Sequence, residues 1–417
     1  MKILVVGSGA REHAICWKII KSNKVSKLYC APGNGGIAQL AECIDIKVND
    51  LDRIVEFSTV NKIDLVVVGP EEPLVAGLVD KLNENGIKAF GPRKNGALFE
   101  GSKSYSKDFM KKYKIPSADY KVYTNSKKAI EELNRFQTPI VVKADGLAAG
   151  KGVLICETVK EAEVAIRSIM DEKQFGHAGE TVVIEEFLRG REASLLCFVD
   201  GKNIIPMESA RDYKKAYDND KGLNTGGMGC FSPNPIYTDQ LNKYIKENIL
   251  DNTLKGFLNE NIDFKGVLFI GLMIENNKAK VLEYNTRFGD PETEVVLPRL
   301  ESDLVDIMLK CIEGNLNEND LKWKDEKCLT VVLASGGYPE KYEKGKEITG
   351  LNEVSEDIIV FHGGTKLSGD KLLTNGGRVL AITSMGKTLE EAKKKVYENI
   401  NKIKFDKMQY RRDIAKI

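Results

Sequence analysis

Lys143-Ala144-Asp145-Gly146-Leu147-Ala148-Ala149-Gly150-Lys151-Gly152-Val153 is the stretch that decides the reading. Small residues let a ligand approach the backbone, and N–H groups outside regular structure can cradle phosphate oxygens. The run is not a P-loop. Gly146 and Gly150-Lys151 enclose three residues where four are required, and Gly152 stands where Ser or Thr would hold the metal. It joins two strand-like runs, Ile140-Val141-Val142-Lys143 and Val153-Leu154-Ile155-Cys156, rather than a strand and a helix. The spacing predicts a hairpin flap over phosphates. An ordinary hairpin turn is the plainer alternative.

Upstream, residues 1 to about 103 alternate buried-strand runs such as Lys2–Val6 and Asp64–Val68 with amphipathic stretches such as Leu74–Leu82. That pattern predicts a parallel sheet with helices on both faces. Ser102 caps an expected helix over Lys103–Met110. Past the flap, Val182–Glu185 and Ser194–Val199 read as strands. Gly266–Ile274 and Lys278–Tyr284 read as a strand pair turned by Asn276-Asn277. A polar stretch over Asn315–Lys327 reads as a connection. It leads to strands at Cys328–Ala334 and Val379–Thr383 and a charged helix at Thr388–Ile400.

Three further motifs carry chemistry. Gly7-Ser8-Gly9-Ala10-Arg11-Glu12 has the first two glycines of a dinucleotide fingerprint but Glu12 at the third, so a dehydrogenase reading fails there. An anion on the helix start, helped by Arg11, is the expectation; a bare tight turn is the alternative. Glu283 and Asn285 stand at i and i+2 at the end of a strand, so their oxygens share a face and suit Mg²⁺. Arg287 follows on that face if the strand persists, ready for an anionic oxygen. Asn224-Thr225-Gly226-Gly227-Met228-Gly229 alone reads as a flexible turn, and the preceding Arg211-Asp212 and Lys214-Lys215 as solvated charge.

Composition sets the limits. The chain has 417 residues, 62 basic against 61 acidic, for a net charge of +1, so nothing global points to nucleic acid or an anionic membrane. Eight cysteines form no Cys-x-x-Cys pair and read as reduced core residues, which fits a cytoplasmic protein. The apolar run Met1–Gly7 is too short for a signal peptide, and no run approaches the roughly 20 residues that span a bilayer.

The flap, the Asn224–Gly229 loop and Arg287-Phe288-Gly289-Asp290-Pro291-Glu292-Thr293 closely resemble the phosphoribosylamine–glycine ligase family of the ATP-grasp superfamily, and the resemblance covers essentially the whole chain. It implies a multidomain α/β and α+β fold. This comprises an N-terminal doubly wound parallel sheet (1-103), a central ATP-grasp domain (104-324) with a mobile lid (about 119-188), and a small C-terminal α+β domain (325-417). It implies ligation of glycine to 5-phospho-β-D-ribosylamine with ATP and Mg²⁺ or Mn²⁺, through glycyl phosphate, in purine biosynthesis. The enzyme would be a cytoplasmic monomer with small-molecule substrates only. Lys107 and Lys143 would contact phosphates under a flap that includes Gly146, Gly150, Lys151 and Gly152. Glu185-Glu186-Phe187-Leu188 would read adenine and Glu192 the ribose, while Glu283 and Asn285 would hold the metal. Asp212, Asn224 to Gly229, Arg287, Gly289, Asp290 and Pro291 would surround glycine and the amine, with Gly9, Arg11 and Gly33-Asn34 facing the same cleft. Lys143, Arg287 and Asp212 would act directly in catalysis.

Two departures bear on these expectations. Many ATP-grasp enzymes carry a glutamate twelve residues before the metal-binding one; here that residue is Gly271, as this ligase family also tends to show. Tyr213 stands where the family leads one to expect histidine, so its hydroxyl either replaces a substrate contact or that contact is dispensable. The rival readings are another ATP-grasp carboxylate–amine ligase of purine metabolism and a nucleotide sensor without ligase activity.

Overall fold

The computed structural model describes residues 1–148 and 150–416, so Ala149 of the flap lies outside the described residues. The first sheet is parallel throughout, in the order β3 (Glu42–Cys43), β2 (Lys27–Pro32), β1 (Lys2–Gly7), β4 (Leu65–Val68), β5 (Ala89–Phe90). Its central strand is apolar on both faces. Ile3 and Val5 enter one core, while Leu4 and Val6 enter another with Ile54, Leu74 and Leu82. Two buried faces are what a doubly wound sheet demands. The helix expected over Leu74–Leu82 is two helices, Glu71–Val75 and Leu78–Glu84, because Gly77 between them adopts φ +92°.

Ser102 Oγ accepts the Tyr105 N–H at 3.2 Å and caps the helix Lys103–Lys112, as expected. A small antiparallel sheet follows, in the order β6 (Tyr120–Tyr123), β9 (Val182–Glu186), β7 (Ile140–Ala144), β8 (Val153–Cys156). It has a core of its own, formed with the helix Val159–Ile166. The glycine-rich run therefore links two antiparallel strands, β7 and β8.

The main central sheet runs β11 (Ile204–Pro206), β10 (Arg191–Asp200), β16 (Lys265–Glu275), β17 (Lys278–Asn285). Asn276 and Asn277, both at positive φ, turn β16 into β17. One face packs on the helix Lys103–Lys112 and on Asp251–Asn259; the other shares a core with the first sheet through Phe198, Phe269 and Phe90.

The last sheet is not confined to the end of the chain. It runs β12 (Arg211–Asp212), β15 (Gly229–Ser232), β18 (Lys327–Ser335), β22 (Arg378–Gly386), β19 (Ile358–His362), with β23 (Met408–Gln409) beside β18. Segment 211–232 thus leaves the central sheet to join residues after 325. Between β12 and β15 it forms the hairpin β13 (Lys215–Tyr217) and β14 (Lys221–Asn224). A second hairpin, β20 (Thr365–Ser368) and β21 (Lys371–Thr374), follows β19. The helix Leu389–Ile400 covers the last sheet.

Candidate active site

The metal-ligand expectation rests on strand alternation, and β17 obeys it. Tyr284 points into the core, its hydroxyl 2.6 Å from that of Thr253, while Glu283 and Asn285 share the opposite face, Asn285 Nδ2 3.5 Å from Glu283 Oε1. Gly271 is the cross-strand partner of Glu283, beside a bulge in the β16–β17 register. The second glutamate of other ATP-grasp enzymes would stand there; here the space is left to a glycine. Among the described residues no group of three or more His, Cys, Asp or Glu side chains is arranged to hold a metal ion. An ionised carboxylate beside an amide still offers the hard oxygens a divalent cation prefers.

Lysines hold that carboxylate ionised. Burial pushes Glu283 up, yet Lys214, Lys143 and Lys103 together carry it below the usual carboxylate range. Lys143 Nζ donates to Leu282 O at 3.3 Å and pairs with Glu185 Oε2 at 2.9 Å. Lys107 Nζ donates to Ala118 O at 2.7 Å and lies 3.7 Å from the same Glu185 oxygen. Burial drives Lys107 down to about 8, against the opposing pull of Glu185. Glu185 Oε1 is buried and has no protein partner. Glu186, next along β9, turns its carboxylate to the opposite face, 2.9 Å from Lys280.

Two lysines not among the expected site residues belong here. Lys103 donates from Nζ to Gly146 O at 3.2 Å, joining the helix start to the flap. Lys214, half-buried in a segment that reads as solvated charge, nonetheless pairs with an acid of the site. It lies 3.1 Å from Glu192, and Glu192, Glu283 and Asp212 raise it against the effect of burial. Glu192, expected at the ribose, therefore carries an ammonium partner. The nearest signal was the Asp212-Tyr213-Lys214 motif itself.

In the flap, Asp145 caps the preceding helix, its Oδ1 accepting the Ser104 N–H at 2.5 Å. Gly150 needs its positive φ of +73°, and a Cβ on Gly152 would fall 2.6 Å from Ala148 Cβ. Lys151 reaches Pro339 O at 3.5 Å, so the flap touches the last sheet's loops.

Several expected site residues are committed elsewhere. The anion expected at Gly9 and Arg11 is displaced by Glu12, whose Oε2 accepts the Gly9 N–H at 2.6 Å and whose Oε1 pairs with Arg11 Nε at 2.6 Å. A Cβ on Gly7 or Gly69 would fall 2.3 and 2.2 Å from Glu12 atoms, so this carboxylate fills the space over the glycines. Asn34 is saturated: Nδ2 donates to Ser8 O and His362 O, and Oδ1 accepts from Gly36 and Ile37. It pins loops together, and Gly33 beside it packs on Cys43. Arg287 does not stay on the face of Glu283. The strand ends at Asn285, and Arg287 pairs with Glu100 at 2.9 Å and Glu71 at 3.3 Å. Its charge is already met by two acids.

The loops expected to surround glycine and the amine lie against one another. Asp212 Oδ1 is buried without a partner, and burial with Glu292 raises its carboxyl well above the usual range. A Cβ on Gly227 would fall 2.3 Å from Pro291 and 2.7 Å from Asp212 Oδ1, so the two glycine-bearing loops close around that acid. Gly9 borders Asp290, its Cβ position 3.8 Å from Oδ2. A Cβ on Gly289 would meet Glu292 at 2.5 Å. Asn224 is exposed, and Thr225 Oγ1 bonds Lys214 O at 2.8 Å. Met228 is buried, and Gly229 packs against Ile414 in the core of the last sheet. Tyr213 points away from Asp212, and its hydroxyl accepts the Ala415 N–H at 3.1 Å. The tyrosine therefore does not stand in for a substrate contact.

Comparison with known proteins matches this geometry to a family. Models of the N, ATP-grasp (A) and C domains of phosphoribosylglycinamide synthetase match residues 1–100, 101–293 and 328–417. Phosphoribosylamine–glycine ligase of Clostridium acetobutylicum is 49% identical over 416 residues, covering 100% of both chains. That of Halalkalibacterium halodurans is 49% identical, covering 100% of this chain and 96% of the relative. The crystal structure of phosphoribosylamine–glycine ligase from Thermotoga maritima superposes with a TM-score of 0.88 at 36% identity, covering 99% of this chain and 100% of that one. The biotin carboxylase domain of Hydrogenobacter thermophilus 2-oxoglutarate carboxylase shares the fold, with a TM-score of 0.74 at 15% identity over 98% of this chain and 91% of that one. The chain belongs to the phosphoribosylglycinamide synthetase family.

Proposed function

We propose that this chain is an ATP-dependent ligase that joins glycine to 5-phospho-β-D-ribosylamine, giving glycinamide ribonucleotide, ADP and phosphate, in de novo purine biosynthesis. The observation that carries the reading is Glu283, held ionised by Lys214, Lys143 and Lys103 where the flap meets the main sheet. Lys107, Lys143 and Lys214 also pair with Glu185 and Glu192, so the site is a charge network whose lysines can turn to an incoming polyphosphate. Relatives that match the whole chain carry the name phosphoribosylamine–glycine ligase.

The roles follow from the side chains. Glu185 Oε1, a buried acceptor without a partner, suits the adenine amino group, with the backbone of Glu186, Phe187 and Leu188 beside it. Lys107, Lys143 and Lys103 bind and orient the phosphates, and Gly146, Gly150, Lys151 and Gly152 cover them and exclude water. Glu283 and Asn285 would hold Mg²⁺ or Mn²⁺, which offsets charge on the transferring phosphoryl group. A glycine carboxylate oxygen attacks the γ-phosphorus as the bond to ADP breaks. The amine then attacks the acyl carbon and phosphate leaves. Asp212, an acid with raised proton affinity and an unpartnered oxygen, takes the proton that the amine sheds. Arg287, paired with Glu71 and Glu100 and bonded to Phe288 O, ties the end of β17 to the upstream helices beside the site. The substrates are small molecules, and we read the enzyme as a cytoplasmic monomer.

The test is ADP release with glycine and phosphoribosylamine each omitted in turn, together with oxygen-isotope transfer from glycine's carboxylate into phosphate. Full ADP release without glycine, or no isotope in phosphate, overturns the reading.

A further inference from the structure

Arg378 opens β22 in the last sheet, in a region where the sequence offers no motif. Its guanidinium nevertheless reaches the substrate-side loops. Nη1 donates to Asp290 Oδ1 at 2.7 Å and to Gly226 O at 2.5 Å. Gly226 fits the guanidinium closely: a Cβ there would fall 2.9 Å from Cζ and Nη2 of Arg378. The same loop is held from its other side, where the Gly226 N–H donates to the Tyr338 hydroxyl at 3.1 Å.

Charge makes this contact more than a tether. Asp290, Glu294 and Asp212 all lie close enough to Arg378 to raise its affinity for the proton against the effect of burial. Two of those acids have buried oxygens without a hydrogen-bond partner: Oδ1 of Asp212 and both oxygens of Glu294. The guanidinium bonds Asp290 directly, while Asp212 and Glu294, whose carboxyls burial raises well above the usual range, lie near it without a hydrogen bond. Removing one member of a buried charge set leaves the rest uncompensated.

We propose that Arg378 is a positioning residue for the glycine and amine subsites. It clamps the Asn224–Gly229 loop to the Gly289–Pro291 loop, so that the C-terminal sheet sets the affinity for the substrates other than ATP. This rests on the reading that those two loops hold glycine and phosphoribosylamine. Among the described residues Arg378 makes no hydrogen bond or ion pair with the flap or with Glu283, so the proposal leaves ATP binding to other groups.

The experiment measures KM for each of the three substrates, and ADP formed per glycinamide ribonucleotide, in Arg378→Gln, Arg378→Lys, Gly226→Ala and Asp290→Asn. Misplacing reacting groups by about 1 Å costs up to roughly 100-fold. Arg378→Gln should therefore raise KM for glycine or phosphoribosylamine by about 10- to 100-fold. KM for ATP should stay within about twofold, since no nucleotide-side residue moves. ADP should also form in excess of product, because a loosened amine subsite lets water compete. Arg378→Lys should recover part of the loss, since an ammonium keeps the charge but not the fork. Gly226→Ala displaces the guanidinium without removing it and should give the same split, which keeps the test open if Arg378→Gln folds poorly. A uniform fall in kcat with all three KM values unchanged overturns the proposal. If Asp290→Asn raises the glycine or amine KM while Arg378→Gln and Gly226→Ala do not, the loops bind substrate and the clamp is wrong. If none of the variants moves either KM, the loop reading itself fails and the clamp fails with it.

Discussion

Lys107→Met should make the nucleotide-free protein more stable while abolishing turnover. Lys107 is 2% exposed, and burial drives its ammonium from the ordinary 10.5 down to about 8. At roughly 1.4 kcal/mol per pH unit, that fall corresponds to a cost of about 3 kcal/mol for keeping the charge there. Methionine has similar length and no charge, but it leaves the Ala118 carbonyl without its 2.7 Å donor, which costs about 1 kcal/mol. The net gain is about 2 kcal/mol at pH 7. The sign with pH follows from the lowered value. Below about 8 both folded and unfolded chains hold the proton, and the full cost is present. Between about 8 and 10.5 the unfolded chain holds more protons than the folded one, so the wild type gains stability as pH rises. The advantage of Lys107→Met should therefore be largest at pH 7 and shrink towards pH 10. Urea unfolding midpoints without nucleotide, at both pH values, read this directly, and ADP release reads activity. A variant less stable than wild type at pH 7, or an advantage that does not change with pH, would refute the reasoning. So would near-normal turnover, because the buried cost would then serve no phosphate.

Glu283→Ala should lower turnover by orders of magnitude with the fold intact, read by ADP release and circular dichroism; near-normal rates in saturating Mg²⁺ would remove Glu283 from the metal role. Tyr213→Phe removes only the acceptor of the Ala415 N–H and should cost about 1 kcal/mol, with kcat/KM unchanged for every substrate. A tenfold fall in kcat/KM would return Tyr213 to the active site. Glu12→Gln breaks the buried pair with Arg11 and should destabilise by about 3 kcal/mol, seen as a lower Tm. It should bring no affinity for NAD, because the side chain still fills the space over Gly7 and Gly69.

What was legible in the sequence is what neighbours along the chain decide. The flap between β7 and β8, the Ser102 cap and the shared face of Glu283 and Asn285 follow from strand alternation and helix-end chemistry, which act over a few residues. Glu12 was legible as a break in a fingerprint, though not as the group that occupies the vacated space. What escaped is decided by distant partners. Arg287 follows β17 directly in sequence, but Glu71 and Glu100, on helices far upstream, set where it turns. Lys214 sits in a run that resembles solvated charge, and only the pairing of Arg211–Asp212 with β15 carries it to Glu192 and Glu283. Arg378 meets Gly226 and Asp290 across 152 and 88 residues. Its own surroundings, Gly376-Gly377-Arg378-Val379, hold no functional signal. The proposed nucleotide side of the site is built from the flap, β7, β9, β17 and the helix Lys103–Lys112. The proposed glycine and amine side is assembled where segment 211–232 crosses to the last sheet, so its residues come together only once the sheets are paired. That difference also says where variants should couple. Changes at Lys143 and Glu283 share a buried charge set and should be strongly non-additive, whereas Arg378 and Lys107 share no partner and should combine additively.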